Sequence, residues 1–549
     1  MIALLLALAP AAGGCPAQFV DVASQVGLAF THDRGTTREH HMAETMGSGL
    51  AWLDYDNDGW MDLYVVQSGP FPPSGSPRAQ DRLFRNSGDG TFTDVTARAK
   101  LHDGAYGLGA YAADFDADGW VDLLVTNWGG VILYRNKGDG TFTDVTAESG
   151  LQGVKGFVTA AAWGDVDGDG RLDLFLARYV DDRNENKLFC GDPATGKRAY
   201  CYPMMYPGTS PLLFANAGGG GFQDITGRAG LGAAVGRGLG AVFVDVDLDG
   251  KLDLYVANDE TTNFLFHNLG GGRFEDVSVV SGTGFDAQGN PQGGMGVDAG
   301  DLDGDGLPDL VVANFEGETN EYYRNLGSDV FEDLSLSSGF GPPAVNFVGF
   351  GLNLLDVDND GDLDAFIANG HTFERPTRQG STYAEKAFLM WNDGTGHFRE
   401  RACGPGFSPE YVGRGSAVAD YDNDGDPDVA VSNSGGPLQL LRNDGGGGHW
   451  VGVQLVGRKS NRQGIGSRLV AETPTGRKLT RFVQAGNSYL SSSDPRVVFG
   501  LGSEEAIRKL TVYWPSGIVQ VLEDLPSGGY RKVEEKAEPA SAVRPRMPR

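Results

Sequence analysis

Seven times in its 549 residues this chain repeats a nine-residue stretch with aspartate at positions 1, 3, 5 and 9 and glycine at position 6. The turns hold Asp54, Asp56, Asp58 and Asp62; Asp114, Asp116, Asp118 and Asp122; Asp165, Asp167, Asp169 and Asp173; Asp245, Asp247, Asp249 and Asp253; Asp301, Asp303, Asp305 and Asp309; Asp356, Asp358, Asp360 and Asp364; and Asp420, Asp422, Asp424 and Asp428. Carboxylates this close repel one another, so something must hold them together. Hard oxygen donors at alternate positions of a tight bend suit Ca²⁺, which takes about six to eight oxygens at flexible angles. Glycine at position 6, Gly170 for example, permits the bend that turns the acids inward. Runs such as LYVVQ, LFLAR and AFIAN follow the turns, and small, apolar stretches such as GRGLGAVFV precede them. Both read as β-strands. The expectation is up to seven Ca²⁺, mainly structural, each stapling a turn between two strands.

A second element alternates with the first: RNSGDGTFTDVT at 85–96, RNKGDGTFTDVT at 135–146, HNLGGGRFEDVS at 267–278 and looser copies such as RNLGSDVFEDLS at 324–335. Its Asn-x-Gly-x-Gly core is a hairpin signal. Together the two elements supply about four short strands per repeat, which is one propeller blade. The predicted fold is all-β: a seven-bladed β-propeller over residues 19–448, then a small β-sandwich-like domain over 449–535. FVDVA, starting at Phe19, would supply the outer strand that the last blade lacks, leaving no open edge.

The turns resemble the FG-GAP repeats of integrin α-chain propellers. The whole chain resembles the cartilage acidic protein family, whose bacterial members carry FG-GAP-type repeats and an ASPIC/UnbV domain. The C-terminal part carries that domain's Gly-Ile-Gly, Gly-x-x-Tyr-Leu-Ser, Phe-Gly-Leu-Gly and Trp-Pro-Ser-Gly segments between Gly464 and Gly517. The resemblance implies architecture more than mechanism. Within the domain, SEEAIRKL reads as one helical turn, and the tail at 536–549 lacks the apolar content to pack.

The formal net charge of −29 argues against nucleic acid as a partner, because phosphate neutralisation needs Lys and Arg. The acidity has a local source: the turns hold 28 of the 73 acidic residues, and seven calcium ions would take the balance to −15. The stretch before residue 19 reads as a secretory signal, too short to span a bilayer. Ala12-Gly13-Gly14-Cys15 loosely resembles a lipoprotein box, so a lipid anchor at Cys15 stands beside simple cleavage, and the location is exported: secreted, periplasmic or anchored at the surface. Cys190 and Cys201, in one polar insertion, read as a disulfide. Cys403 is left single, as a small buried residue.

Acidic turns and hairpins fall on one face of the ring. The irregular segments fall on the other, including 31–49, 68–81, 181–211 and 369–386, and variable loops on a rigid scaffold are the usual place for recognition. A ligand or partner is therefore expected on that face or in the central channel. His40 and Glu44, at helical spacing in a segment that does not read as helix, read as a solvated loop before they read as metal ligands. Arg237 and Arg414, each flanked by glycine near the axis, suit an anionic group or an ion pair with the acidic interior. Asp259 and Glu260 lie in a loop of the same face. No catalytic constellation stands out. The function expected is binding of a protein, glycan or surface partner. The alternatives are an enzyme or accessory protein of a biosynthetic route with its site at the channel, since ASPIC/UnbV proteins are associated with enediyne clusters, and a cell-surface adhesion protein.

Overall fold

The computed structural model describes residues 15–73, 80–102, 104–182, 188–374, 378–445 and 447–537. Residues 1–14 of the expected signal and all but the start of the expected tail lie outside them. Seven four-stranded antiparallel sheets form the blades. Their inner strands are Leu50–Leu53, Tyr106–Ala113, Val158–Gly164, Gly238–Val244, Val297–Gly300, Gly349–Leu355 and Gly413–Ala419. These are buried along almost their whole length. Each blade is sandwiched between two others, which is why its strands read as continuous apolar runs and do not alternate.

The outermost strands are short, as in Phe92–Asp94 and Phe142–Asp144, with the phenylalanine buried and the rest exposed. Where position 2 of the preceding blade's turn is aromatic, the phenylalanine of this strand packs on it. Phe92 lies 5.6 Å from Tyr421, Phe142 lies 6.2 Å from Tyr55, and Phe222 lies 5.8 Å from Phe115, between ring centres. Closure follows the expected route: Phe19–Asp21 pairs antiparallel with the third strand of the last blade, Phe19 opposite Asn443.

The ends are also tied covalently. Cys15 is bonded to Cys403, with Cα atoms 5.8 Å apart, and Cys190 is bonded to Cys201. This corrects the reading of Cys403 as single, and it sets a test for the lipid anchor, because a lipidated cysteine has its sulfur in a thioether and cannot cross-link. Mass spectrometry of the unreduced protein should find the Cys15–Cys403 peptide pair. The double Cys15→Ser, Cys403→Ser variant should lose about 2–5 kcal/mol of stability. A lipid-modified Cys15 in that experiment would reverse the assignment.

The C-terminal domain is two packed sheets. One has the order Val497–Gly502, His449–Val456, Tyr530–Glu534, its last pair parallel. The other has the order Lys478–Phe482, Arg468–Glu472, Ala506–Tyr513, Val519–Pro526. Residues 506–510, read from sequence as part of a helical turn, open the strand Ala506–Tyr513, which pairs on one side with Val519–Pro526 and, from Lys509 on, with Arg468–Glu472 on the other. Tertiary pairing overrides the local preference.

Candidate metal centres and the occupied channel

The seven acidic turns share one geometry. The position-1 carboxylate accepts backbone N–H groups from across the bend, as Asp54 does from Asp58 and Gly59 at 3.0 Å each. The position-9 carboxylate accepts from position 2 and from the asparagine of the third strand. Asp122, for example, accepts from Phe115 at 3.1 Å and Asn136 at 2.8 Å. Position 4 is left-handed in every turn, even where it is Ala117 (φ 60°) or Leu248 (φ 58°), a conformation that costs a residue with a Cβ about 1 kcal/mol or more. The acids at positions 1 and 9 are buried, apart from half-buried Asp245; those at position 5 are exposed.

Burial, with the charge of the other acids in the turn adding to it, pushes these carboxyls up against the pull of their N–H donors. Asp54 and Asp301 rise to about 6, and Asp114, Asp245, Asp356 and Asp420 to about 7. Asp173 and Asp253 rise to about 8 and Asp122 to about 9, while Asp62, Asp309, Asp364 and Asp428 are held well above the carboxylate range. Asp56 Oδ1, Asp167 Oδ1, Asp301 Oδ1, Asp356 Oδ1 and Asp422 Oδ1 are buried with no hydrogen bond. Buried acceptor-only oxygens converging within 4.8 Å, as in the Asp54, Asp56, Asp58 and the Asp165, Asp167, Asp173 sets, fit a hard divalent cation. The acids at positions 1, 3, 5 and 9 would hold it.

The third-strand asparagine does more than mark a hairpin. Its side-chain N–H₂ donates to a carbonyl of its own turn and to the position-2 carbonyl of the preceding blade's turn. Asn136 reaches Tyr55 O at 2.8 Å, Asn216 reaches Phe115 O at 2.8 Å and Asn268 reaches Val166 O at 3.0 Å. Asn325, Asn392, Asn443 and Asn86 continue the pattern, Asn86 joining the first blade to Tyr421 O of the last. A ring of seven buried asparagines thus staples the blades turn to turn. The signal was present in the repeat, but the hairpin role alone accounts for Asn there. Asn136→Ala should cost about 1–3 kcal/mol, because it orphans a buried carbonyl; Asn136→Asp should cost more. Thermal unfolding in calcium checks both.

The turn face is covered by the C-terminal domain. Arg481 reaches Gly361 O at 3.1 Å and Asp356 Oδ2 at 3.5 Å. Arg496 reaches Asn423 Oδ1 at 2.8 Å and Asp420 O at 2.9 Å, and Tyr530 donates to Asp420 Oδ2 at 2.9 Å. From this domain residues 484–494, QAGNSYLSSSD, enter the central channel. Their backbone and side chains bond the inner strands of six blades: Ser492 to Leu50 and Trp52, Leu490 to Ala110, Ala485 to Trp163, Ser488 to Val297 and Leu352, and Asp494 to Val418. A Cβ on Gly49 would lie 1.7 Å from Leu490 O, so the Gly-x-Gly pattern of the inner strands makes room for this plug. At its tip Tyr489 packs on Phe350, ring centres 4.8 Å apart, and donates to Met46 O.

Arg414 lies just beyond, 3.9 Å from the centre of the Phe350 ring and fully buried. Its guanidinium donates to the carbonyls of Thr45, Gly370, Gly413 and His371. Those bonds replace both the anion and the ion pair that the sequence allowed. Glu44 is buried at the start of a short helix, Ala43–Met46, where the sequence read as loop. It accepts from Thr37, His41 and Tyr200, so it organises the loop and does not join His40 in a metal set. His40 packs edge-on against Tyr200. Arg237 donates to Glu260 O and Tyr206 O, and beside it burial raises Asp259 to about 7 while Tyr179 donates to its carboxylate. The disulfide insertion crosses this mouth, Tyr202 packing on Phe373 at 5.1 Å and Arg198 pairing with Glu39. Beneath it is a cavity of about 70 Å³ lined by Met46, Tyr179, Tyr202, Asp259, Phe315 and Phe350 among others.

A ring of acidic-turn blades, sealed on one face by a β-sandwich that also fills its axis, defines the class: a repeat propeller built to hold its own C-terminal domain. The chain belongs to the FG-GAP-like repeat family, whose profile matches residues 54–125, 114–176, 245–312, 301–367 and 356–431, and it carries an ASPIC and UnbV domain at residues 457–540. Cartilage acidic protein 1 of Homo sapiens is 27% identical over 509 residues, covering 89% of this chain and 71% of that protein. Its Mus musculus counterpart is 26% identical over 491 residues, covering 85% and 70%. A solved structure described as YCF48 bound to D1 peptide aligns with TM-score 0.40 and 9% identity over 79% of this chain and 98% of its own, too loose a likeness to carry an argument.

Proposed function

We propose that the protein is an exported interaction module, in which calcium held by the acidic turns fixes the ring and the opposite face binds a protein or glycan partner. The observation that carries this reading is the division of surfaces. The turn face and the axis are taken up by the C-terminal domain, which among the described residues leaves the opposite mouth as the broad surface open to a partner. There the insertion pinned by Cys190–Cys201 exposes Phe189, Tyr202, Met204 and Met205. Aromatic and methionine side chains on a rigid support suit protein recognition. Two disulfides support an oxidising, exported setting, and among the described residues no helix is long and apolar enough to cross a membrane. The charge of −29 supports a partner other than nucleic acid.

The cavity size weighs against the rival with a site at the channel. Small-molecule pockets run to roughly 300–1,000 Å³, against about 70 Å³ at this mouth. To test the reading, the exported protein and a Tyr202→Ser, Met204→Ser variant are compared on arrays of extracellular proteins and glycans, with and without calcium. The expected result is calcium-dependent binding that the variant loses while its melting in calcium is unchanged. Binding retained by the variant would move the site off this rim. Binding of no array component, with turnover of a small molecule, would favour the enzyme.

A further inference from the structure

Blade 4 carries a histidine where blades 1, 2, 5 and 7 carry arginine, blade 3 Ala215 and blade 6 Trp391. In blades 1, 2 and 5 the residue before the stapling asparagine is an arginine that reaches the position-3 carboxylate of its own turn. Arg85 lies 2.5 Å from Asp56, Arg135 2.7 Å from Asp116, and Arg324 2.6 Å from Asp303. In blade 4 that residue is His267. The following hairpin changes as well. Where other hairpins carry Gly90, Gly140, Gly220, Gly272 and Gly396, blade 5 carries Asp329, left-handed at φ 58°. This hairpin position faces the preceding blade's turn: a Cβ on Gly272 would lie 3.7 Å from Asp167. The two exchanges therefore remove a guanidinium and add a carboxylate at the same place.

His267 Nδ1 is buried and makes no hydrogen bond. It lies 3.2 Å from Asp329 Oδ2 and 3.3 Å from Asp253 Oδ1. Asp329 Oδ1 is likewise buried without a hydrogen bond, and His267 also forms a compact donor set with Asp247 and Asp249. Atoms bound about 2.0–2.2 Å from a shared ion stand roughly 3.0–3.6 Å apart. The imidazole nitrogen therefore already stands at ligand spacing from both carboxylates, whose oxygens lie within 4.8 Å of one another. Ca²⁺ takes oxygen donors at longer range, whereas imidazole with carboxylate suits Zn²⁺ and related transition ions.

We propose that His267, Asp253 and Asp329, with Asp247 or Asp249 completing the set, bind one Zn²⁺-class ion at the seam between blades 4 and 5, beside the calcium turn and sharing Asp253 and that second aspartate with it. The ion would bridge two blades through side chains where the asparagine staple bridges them through backbone.

The test uses the untagged exported protein with calcium in large excess, titrated with Zn²⁺ by calorimetry and with Co²⁺ by visible absorption. The expected result is one Zn²⁺ per chain, with Co²⁺ bands of nitrogen and oxygen ligation. Affinity should fall at least roughly tenfold in His267→Arg and in Asp329→Gly. The first gives the seam the residue of blades 1, 2, 5 and 7 and the second that of the other hairpins, so both should fold and melt normally in calcium. Zn²⁺ uptake that survives both substitutions overturns the assignment. So does an absence of uptake in excess calcium, which would leave His267 as a side chain packed between two carboxylates with no ion.

Discussion

Stripped of calcium, the protein should unfold at a temperature lower by roughly 10–20 °C than the calcium-loaded form. Each filled turn at a calcium concentration a hundredfold above its dissociation constant adds about 2.7 kcal/mol, and several turns add together on one cooperative ring. The sign of the pH effect is also fixed. An unfolded aspartate titrates near about 3.9, whereas the folded turn acids titrate at about 6 to 9. Asp259, Glu321 and Glu385, also raised by burial, act in the same direction. Between those limits the folded, metal-free state holds protons that the unfolded state has released. Its stability is therefore fully present below the unfolded value and lost as pH rises through the folded values. Metal-free protein should melt higher at pH 5 than at pH 8. Calcium-loaded protein should do the reverse, because protons compete with the ion for the same oxygens. Calorimetry of dialysed, metal-counted samples at both pH values checks this. Melting that ignores both calcium and pH would mean the turns hold no ion and are not desolvated as described.

Leu490→Asp should destabilise the whole molecule, ring included, by about 3–5 kcal/mol. It places an unpaired carboxylate at a fully buried position on the axis. Tyr489→Phe, which deletes only the hydroxyl bond to Met46 O, should cost about 1 kcal/mol and serves as the control. The loss should show as a lowered melting temperature and as faster proteolysis of both domains. It should also weaken calcium binding at the sixth and seventh turns, because Arg481 and Tyr530, which lean on Asp356 and Asp420, come from the domain the plug anchors. A Leu490→Asp protein that melts like the parent would show that the channel segment is not part of the core.

The turns, the blade pattern and the closing strand at Phe19 were legible because repetition fixes them: seven copies of one spacing leave little freedom, and a ring must be closed. The plug was not legible. GNSYLSSSD reads as a polar loop, and its burial depends on inner strands whose axial N–H and C=O groups lack a strand partner. Arg414 was placed near the axis, but its company was not, since carbonyls carry no sequence signature. The pairing of Cys403 with Cys15 follows from ring closure, which brings the start of the chain against the last blades. That step needs the closure and the cysteines to be considered together. The difference at His267 and Asp329 was visible in the repeat as two odd letters, and only the fold shows that they face each other.

Closure also sets an order of events. The strand at Phe19 finds its partner more than four hundred residues later, as the Gln18–Asn443 contact spans 425 positions, and the axis is filled by a segment made later still. A nascent chain must therefore wait, with one strand edge open and its inner strands unsatisfied, until nearly all of it has emerged. Assembly is a last-in step with high contact order, and the half-made ring is the state most exposed to mispairing with a second chain. If the turns take up calcium only after export, as proposed above, their mutual repulsion would hold that step back until the chain is complete.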